Sequence, residues 1–196
     1  MSAESQVTEM LRSVEVGGDR PGDVQVHDER LYQRILSEGS LGAGEAYMDG
    51  WRDAERLGEL FFRLLRAGLD RKLRTLAVLG RVLLSRLDAD RWIAKYIFPA
   101  GVIPAWAQLT RANEGLFVLE DWHNFDPDYD RTLTSWHDNL AAAWPELKHS
   151  EGLDERFCRM WRYYLLSSAG AFRARKLNLW QLVLSQSDVR RYVPVR

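Results

Sequence analysis

Along this chain the apolar positions recur mostly at helical spacing. Val7, Met10, Leu11 and Val14 fall three and four residues apart and predict a short amphipathic helix. Gly17, Gly18, Pro21 and Gly22 mark a loop, Asp23 to Val26 suits a short strand, and Asp28 is placed to cap a helix through about Ser37. Gly39, Gly42, Gly44 and Gly50 punctuate the next stretch. Asp53 is placed to cap a second helix, with Leu57, Leu60, Phe61 and Leu64 on one face and Gly68 just past its end. A third helix fits Asp70 to Leu87: Leu69, Leu76, Leu79, Leu83 and Leu87 cluster on a wheel, while Arg74 and Arg81 point away.

Leu87-Asp88-Ala89-Asp90 carries neither a Pro/Gly-rich linker nor a repeat, and the pattern changes abruptly there. Trp92 to Phe98 is aromatic-rich, ends at Pro99 and Gly101, and reads as an extended turn segment. Pro104 suits the first turn of a helix that Gly115 closes. Leu116 to Phe125 alternates as a strand does. Helices are expected over Asp130 to Ala143 and Asp154 to Ala169, separated by Trp144-Pro145. The second carries Phe157, Met160, Trp161, Tyr164, Leu165 and Ser168 at helical spacing. Leu177 to Ser185 is apolar on both faces, as in a strand covered on each side. The expected fold class is therefore α+β, predominantly α: a helical N-terminal domain over residues 1–87, and a second part over 88–196 with helices around a small antiparallel sheet.

Composition adds little to this until charge is located. The 196 residues are 46% hydrophobic and 28% charged with net charge −1, which suits one globular domain or two small ones. From Leu60 to Leu87, however, Arg63, Arg66, Arg71, Lys72, Arg74, Arg81 and Arg86 face a single acid, Asp70. With Phe61, Phe62, Leu64 and Leu65, the stretch Arg63 to Arg74 is the best candidate for contact with an anionic phospholipid surface. The bland alternative is a helix packed inside the N-terminal domain, and the pattern alone leaves both open. No nucleic-acid partner is expected. The N-terminus lacks a signal-peptide pattern, and no apolar run approaches the ~20 residues that span a bilayer. A cytoplasmic protein is expected, with any membrane contact peripheral at the inner surface.

Candidate chemistry is sparse. One cysteine, Cys158, excludes an intramolecular disulfide and a thiolate cluster. Gly39, Gly42 and Gly44 follow a helix rather than a strand, so they read as an ordinary turn rather than a phosphate cradle. Glu120, Asp121 and His123 lie close together, but no second histidine stands at ligand spacing, so no metal site is expected. On a strand Asp121 and His123 share a face and Glu120 points the other way. Glu120 is then a candidate for an interdomain pair with a basic residue such as Arg63. Trp122, Trp136, Trp144, Trp161 and Trp180 are expected to fill a core. No P-loop and no Rossmann first turn is present.

Three blocks carry a resemblance: LGAGEAYMDGW (Leu41 to Trp51), FVLEDWHNFDPDYDRTL (Phe117 to Leu133) and GAFRARKLNLWQLV (Gly170 to Val183). They resemble the cyclopropane-fatty-acyl-phospholipid synthases, which transfer a methylene group from S-adenosylmethionine to unsaturated phospholipid acyl chains. The resemblance covers most of Asp23 to Leu69 and almost all of Trp92 to Val183. The first block is similar to that family's N-terminal domain, the other two to the last third of its class I methyltransferase domain. The nucleotide-binding middle has no counterpart between Leu87 and Asp88.

The resemblance implies a role for Tyr129, which matches a tyrosine that helps hold a bicarbonate ion, the base of the family's reaction. The other ligands of that ion, a cysteine, a glutamate and a histidine, belong to the missing middle, and Cys158 is not equated with that cysteine. The chain is thus expected to be a family protein inactive alone, with neither S-adenosylmethionine nor bicarbonate as its own cofactor. The alternative is a non-enzymatic module that binds phospholipid or a partner. In the family fold the strands matching Leu116 to Phe125 and Leu177 to Ser185 end a larger sheet. Without its parallel strands an edge and two faces lose their cover, so self-association, or association with an intact family member, is expected.

Overall fold

The computed structural model describes residues 2–11, 20, 22–68, 90–188 and 192–193. The expected helix over Asp70 to Leu87, with Arg71, Lys72 and Arg74, and the junction at Leu87 to Ala89 lie outside them. Among the described residues are eight helices and two small antiparallel sheets, the expected α+β class with helix predominant.

Ser2 starts the first helix, α1 (Ala3–Met10), by accepting the Ser5 N–H. Strand β1 (Gln25–Val26) follows, pairing with β2 (Arg52–Asp53) around helices α2 (Arg30–Glu38) and α3 (Ser40–Met48). The Asp28 carboxylate accepts the Arg30 N–H at 2.9 Å, close to the expected cap. Helix α4 (Leu57–Arg66) buries Leu57, Leu60 and Leu64, the expected apolar face. Its start is not capped by Asp53, which lies on β2 and accepts from Arg159 at 2.7 Å instead.

The glycines after α2 are not one turn. Gly39 turns the chain with φ +65°, but Gly42 and Gly44 lie within α3. A Cβ on Gly44 would collide with the Trp92 ring, so this helix needs glycine for close approach.

Trp92 itself departs from expectation. Its segment is helix α5 (Arg91–Tyr96), not an extended turn, because the Asp90 carboxylate accepts the N–H groups of Trp92 and Ile93 at 2.9 and 3.4 Å. Trp92 is fully buried and donates its indole N–H to the Met48 sulfur at 3.3 Å. It packs 4.6 Å from Tyr163, within a cluster that includes Val24, Tyr47, Leu57, Leu60 and Leu64. That cluster draws on residues from both sides of the abrupt junction.

Helix α6 (Trp106–Asn113) leads to β3 (Val118–Asn124). Helix α7 (Asp126–Ser150) is continuous through Pro145, where a break was expected. The proline removes one hydrogen bond, but Ala141, whose carbonyl loses its donor, is exposed, so the loss is not buried. Flanking Ala and Leu residues favour helix, and Asp126 and Asp128 at the start with Lys148 and His149 at the end complement the helix dipole. Asp154 caps α8 (Glu155–Arg173) by accepting the Phe157 N–H at 2.8 Å.

Helix α8 packs on both α7 and α4. At the α4 crossing, a Cβ on Gly170 would stand 2.6 Å from the Gly58 carbonyl oxygen, so the backbones touch. A second cluster of Leu133, Leu165, Ala169 and Phe172 fills the α7–α8 seam.

Strand β4 (Trp180–Ser185) pairs antiparallel with β3, with a bulge between Leu119 and Asp121. No residue of either strand is buried, so the expectation of a strand covered on both faces is not met. The five tryptophans expected in the core are likewise not fully buried: Trp136 is 47% exposed, and Trp122 meets Trp180 edge-on at 5.1 Å on the sheet.

Candidate functional site

The segment Asn124 to Asp130 forms a fixed corner between sheet and helix. Asp126 is 2% exposed; its carboxylate accepts the Leu179 N–H at 2.9 Å and the Asn124 amide at 3.1 Å. The Asn124 side-chain oxygen accepts the Asp126 N–H in return. These bonds tie the start of α7 to the chain entering β4. Asp130 accepts two parallel hydrogen bonds from Arg173, each at 3.0 Å, which join the first turn of α7 to the end of α8.

This corner positions Tyr129, which projects from the first turn of α7. Its ring meets Phe172 at 5.0 Å and Trp136 at 6.0 Å, both edge-on. Asp130, next to Tyr129, engages Arg173. Among the described residues the strands form two antiparallel pairs, with no parallel strand leading through a glycine turn into a helix, the arrangement a nucleotide cradle uses.

Charge concentrates elsewhere, between the N-terminal helices and α5 and α8. Glu45, 7% exposed, accepts from Lys95 at 2.6 Å, from the Tyr96 hydroxyl at 2.7 Å and from Arg34. Burial pushes its pKa up, but the hydrogen bonds from Lys95, Tyr96 and Arg34 outweigh this and lower it to about 2. Asp49 receives Arg34 at 2.8 Å and Arg156 at 3.0 Å, and its carboxyl is also held below the usual range.

Arg159 completes the junction. It donates to the carbonyls of Tyr47 at 2.5 Å and Arg52 at 3.0 Å, and to Asp53. Cys158 on the same helix is buried, and burial raises its thiol pKa. None of this network was singled out from the sequence; acids and bases at large separations give no local pattern.

The remaining candidates separate. Arg63 donates to buried Asp23 at 3.0 Å, and Glu120 accepts from the Ser185 hydroxyl at 2.6 Å, so each has a partner other than the expected one. Arg66 is exposed, with its guanidinium 5.9 Å from the Phe62 ring centroid. Arg71, Lys72 and Arg74 fall outside the described residues. No group of three metal-ligating side chains occurs among the described residues. No described helix is long and apolar enough to cross a membrane.

Among the described residues an open groove of about 350 Å³ runs beside the β3–β4 sheet, with Leu109, Phe117, Leu119, Leu182 and Leu184 as its apolar wall and Arg111 and Glu114 at its polar side.

Residues 33–182 match the family described as mycolic acid cyclopropane synthetase. The chain is 52% identical over 100 residues to the cyclopropane-fatty-acyl-phospholipid synthase of Escherichia coli K12, covering 51% of this chain and 26% of that protein. It is 50% identical over 80 residues to a protein of the same name from Citrobacter freundii, covering 41% and 88%. It is 31% identical over 138 residues to the tuberculostearic acid methyltransferase of Mycobacterium tuberculosis, covering 69% and 32%. The match thus spans about a quarter of the length of the Escherichia coli relative. The family match covers well over half of the sequence, and the chain belongs to the mycolic acid cyclopropane synthetase family.

Proposed function

We propose that this chain derives from a lipid methyltransferase whose reaction is methylene transfer from S-adenosylmethionine to unsaturated phospholipid acyl chains, and that it is catalytically incomplete alone. The observation that carries this reading is the sheet. Its two strands leave both faces half-exposed, and among the described residues nothing parallel pairs with them. In the parent, a nucleotide-binding layer of on the order of 100 residues or more would continue this sheet. In that reading Tyr129 belongs to a bicarbonate site completed by residues of the absent layer, and S-adenosylmethionine binds the parent rather than this chain.

Calorimetric titration of the purified chain with S-adenosylmethionine tests this. No heat of binding is expected. Micromolar binding would overturn the reading, because it requires a complete site within this chain.

A second reading, a non-enzymatic module that binds phospholipid or a partner, is favoured by the exposed Arg66 beside Phe62 and by the apolar groove. Co-sedimentation with vesicles, with and without anionic lipid, separates its two forms. Pelleting only with anionic vesicles supports a peripheral membrane role, and no pelleting with either leaves protein association.

A further inference from the structure

Among the described residues, one cation of the junction, Arg162, has no partner. It follows Arg159 by three residues on α8, so the two side chains stand one turn apart on one helix face. Arg159 is committed to the Tyr47 and Arg52 carbonyls and to Asp53. The Arg162 Nε–H, by contrast, is buried without an acceptor, and its guanidinium forms no ion pair among the described residues. A buried donor left unmet is costly and rare in folded proteins.

Tyr47 stands beside it with a second unmet group. The residue is 2% exposed, yet among the described residues nothing bonds its hydroxyl. Its ring packs 5.5 Å from Tyr163, the residue after Arg162, and 4.2 Å from the Arg159 guanidinium carbon. Burial pushes the phenol pKa up, and Arg162 is the foremost of the charges that oppose this. The phenol therefore keeps its proton at neutral pH and remains a donor.

The nearby acids are taken. Asp53 accepts from Arg159 at 2.7 Å and meets His27 at 3.2 Å. Asp90, which also acts on Tyr163, caps α5. Arg52, 5% exposed, donates to the Ala43 carbonyl at 3.2 and 3.1 Å, with its guanidinium carbon 5.8 Å from the ring centroids of both Tyr47 and Tyr163. Around Tyr47, then, Arg52, Arg159 and Arg162 set three positive charges against the single carboxylate of Asp53.

We propose that Arg162 and the Tyr47 hydroxyl form a binding site for a phosphoryl oxyanion, within the positive field of Arg52 and Arg159. A guanidinium fork matches two phosphate oxygens, and the phenol donates to a third. The surplus of positive charge suits a phosphate, which carries about −1.5 to −2 at pH 7, better than a carboxylate. Arg162 is only half-buried and the neighbouring Asp53 side chain is 42% exposed, so an ion reaches the site from solvent. This site is neither the Tyr129 corner nor the Arg66 face, and the S-adenosylmethionine titration does not bear on it. Its phosphoryl group comes from a phospholipid headgroup or from free phosphate, two sources that experiment separates.

Nitrogen–proton NMR of the full chain reads the Arg162 Nε–H directly. Titration with inorganic phosphate should move that resonance to saturation with a Kd of about 1 mM, whereas chloride at equal ionic strength should not move it. No movement, or equal movement under chloride, overturns the proposal. At about ten times that Kd, phosphate should raise the melting temperature by about 3–6 °C. Arg162→Gln should lose this rise and, without phosphate, melt no lower than the parent, because it removes an unpaired cation from among cations. A variant that keeps the rise overturns the proposal.

Should Arg162→Gln fail to fold, Tyr47→Phe decides, since it deletes only the hydroxyl. Binding about fivefold weaker would leave roughly half of the rise; an undiminished rise overturns the proposal. Vesicles of phosphatidylglycerol then identify the source. Pelleting that phosphate competes away and Arg162→Gln abolishes assigns the headgroup, and pelleting equal in parent and variant, with phosphate binding intact in the parent, assigns free phosphate.

Discussion

Replacing Glu45 by glutamine tests whether the junction between the two parts is electrostatic. Glutamine keeps the shape of the side chain and removes the charge that Lys95, Tyr96 and Arg34 address. The fall of the carboxyl from an ordinary 4.5 to about 2 is worth roughly 3 kcal/mol at the usual conversion of pKa into free energy. The Lys95 side chain is 53% exposed, and solvent screens its share, so a loss of about 2–3 kcal/mol at pH 7 is expected for Glu45→Gln. Because the folded-state pKa is depressed, this stabilisation is present above 4.5 and lost as the pH falls toward 2. The gap between parent and variant should shrink to roughly half near pH 3. Other carboxylates titrate in both proteins and cancel to first order; Asp49, which shares Arg34, is the exception. Urea unfolding followed by tryptophan fluorescence reports it, since Trp92 lies in the core beside Tyr163. A gap under about 0.5 kcal/mol at pH 7, comparable to an exposed ion pair, or one that does not change with pH, would refute the reasoning.

Gly170→Ala places a Cβ 2.6 Å from the Gly58 carbonyl and 2.8 Å from the Phe61 Cβ, backbone and branch point that cannot move alone. It should cost about 1–3 kcal/mol, read as a lowered melting temperature. Arg63→Ala removes a cation from fully buried Asp23 and should lower stability by about 1–3 kcal/mol, measured by the same unfolding. Arg66→Glu should leave melting within the range of ordinary surface changes, about 0.5 kcal/mol, and reduce co-sedimentation with anionic vesicles if that face meets lipid. Unchanged pelleting would remove Arg66 from the lipid reading.

Local signals were legible wherever one residue decides the matter. Asp154 caps α8, Gly68 and Gly115 stand with positive φ just past their helices, and the alternation from Leu116 marks β3. Legibility failed where a distant partner outweighs the local signal. Asp90 starts a helix in a segment whose prolines and glycine suggested a turn. Asp53, well placed as a cap, is taken by Arg159 from 106 residues away. Gly42 and Gly44 resembled a turn because close packing against Trp92 leaves no mark in the local pattern. The Glu45 network draws on Arg34, Lys95 and Tyr96, and spacing does not announce such a set. The blocks around Tyr129 carried the resemblance to the family that residues 33–182 match, but a local block does not show which side chains stand beside that tyrosine.

Arg159 shows how the N-terminal helices and α8 hold one another. Its guanidinium bonds two backbone carbonyls and one carboxylate, all on the far side of the junction, and its central carbon lies 4.2 Å from the Tyr47 ring centroid. The Tyr47 carbonyl also accepts the Gly50 N–H at 3.1 Å. Lysine can supply the charge but not the planar fork, so Arg159→Lys loses at least one of the three Arg159 bonds. A loss of about 1–3 kcal/mol is expected from the lost bond together with a weaker cation–π contact. Where that loss appears is the more telling result. If the shared cluster around Trp92 and Tyr163 makes the two parts one cooperative unit, hydrogen exchange should accelerate together in α3, which packs on α5 and α8 across this junction as well as on α2, and in α8. Faster exchange confined to α8, with α3 unchanged, would show instead that the N-terminal helices are stable without it. The shared core would then be a docking surface between two independent folds.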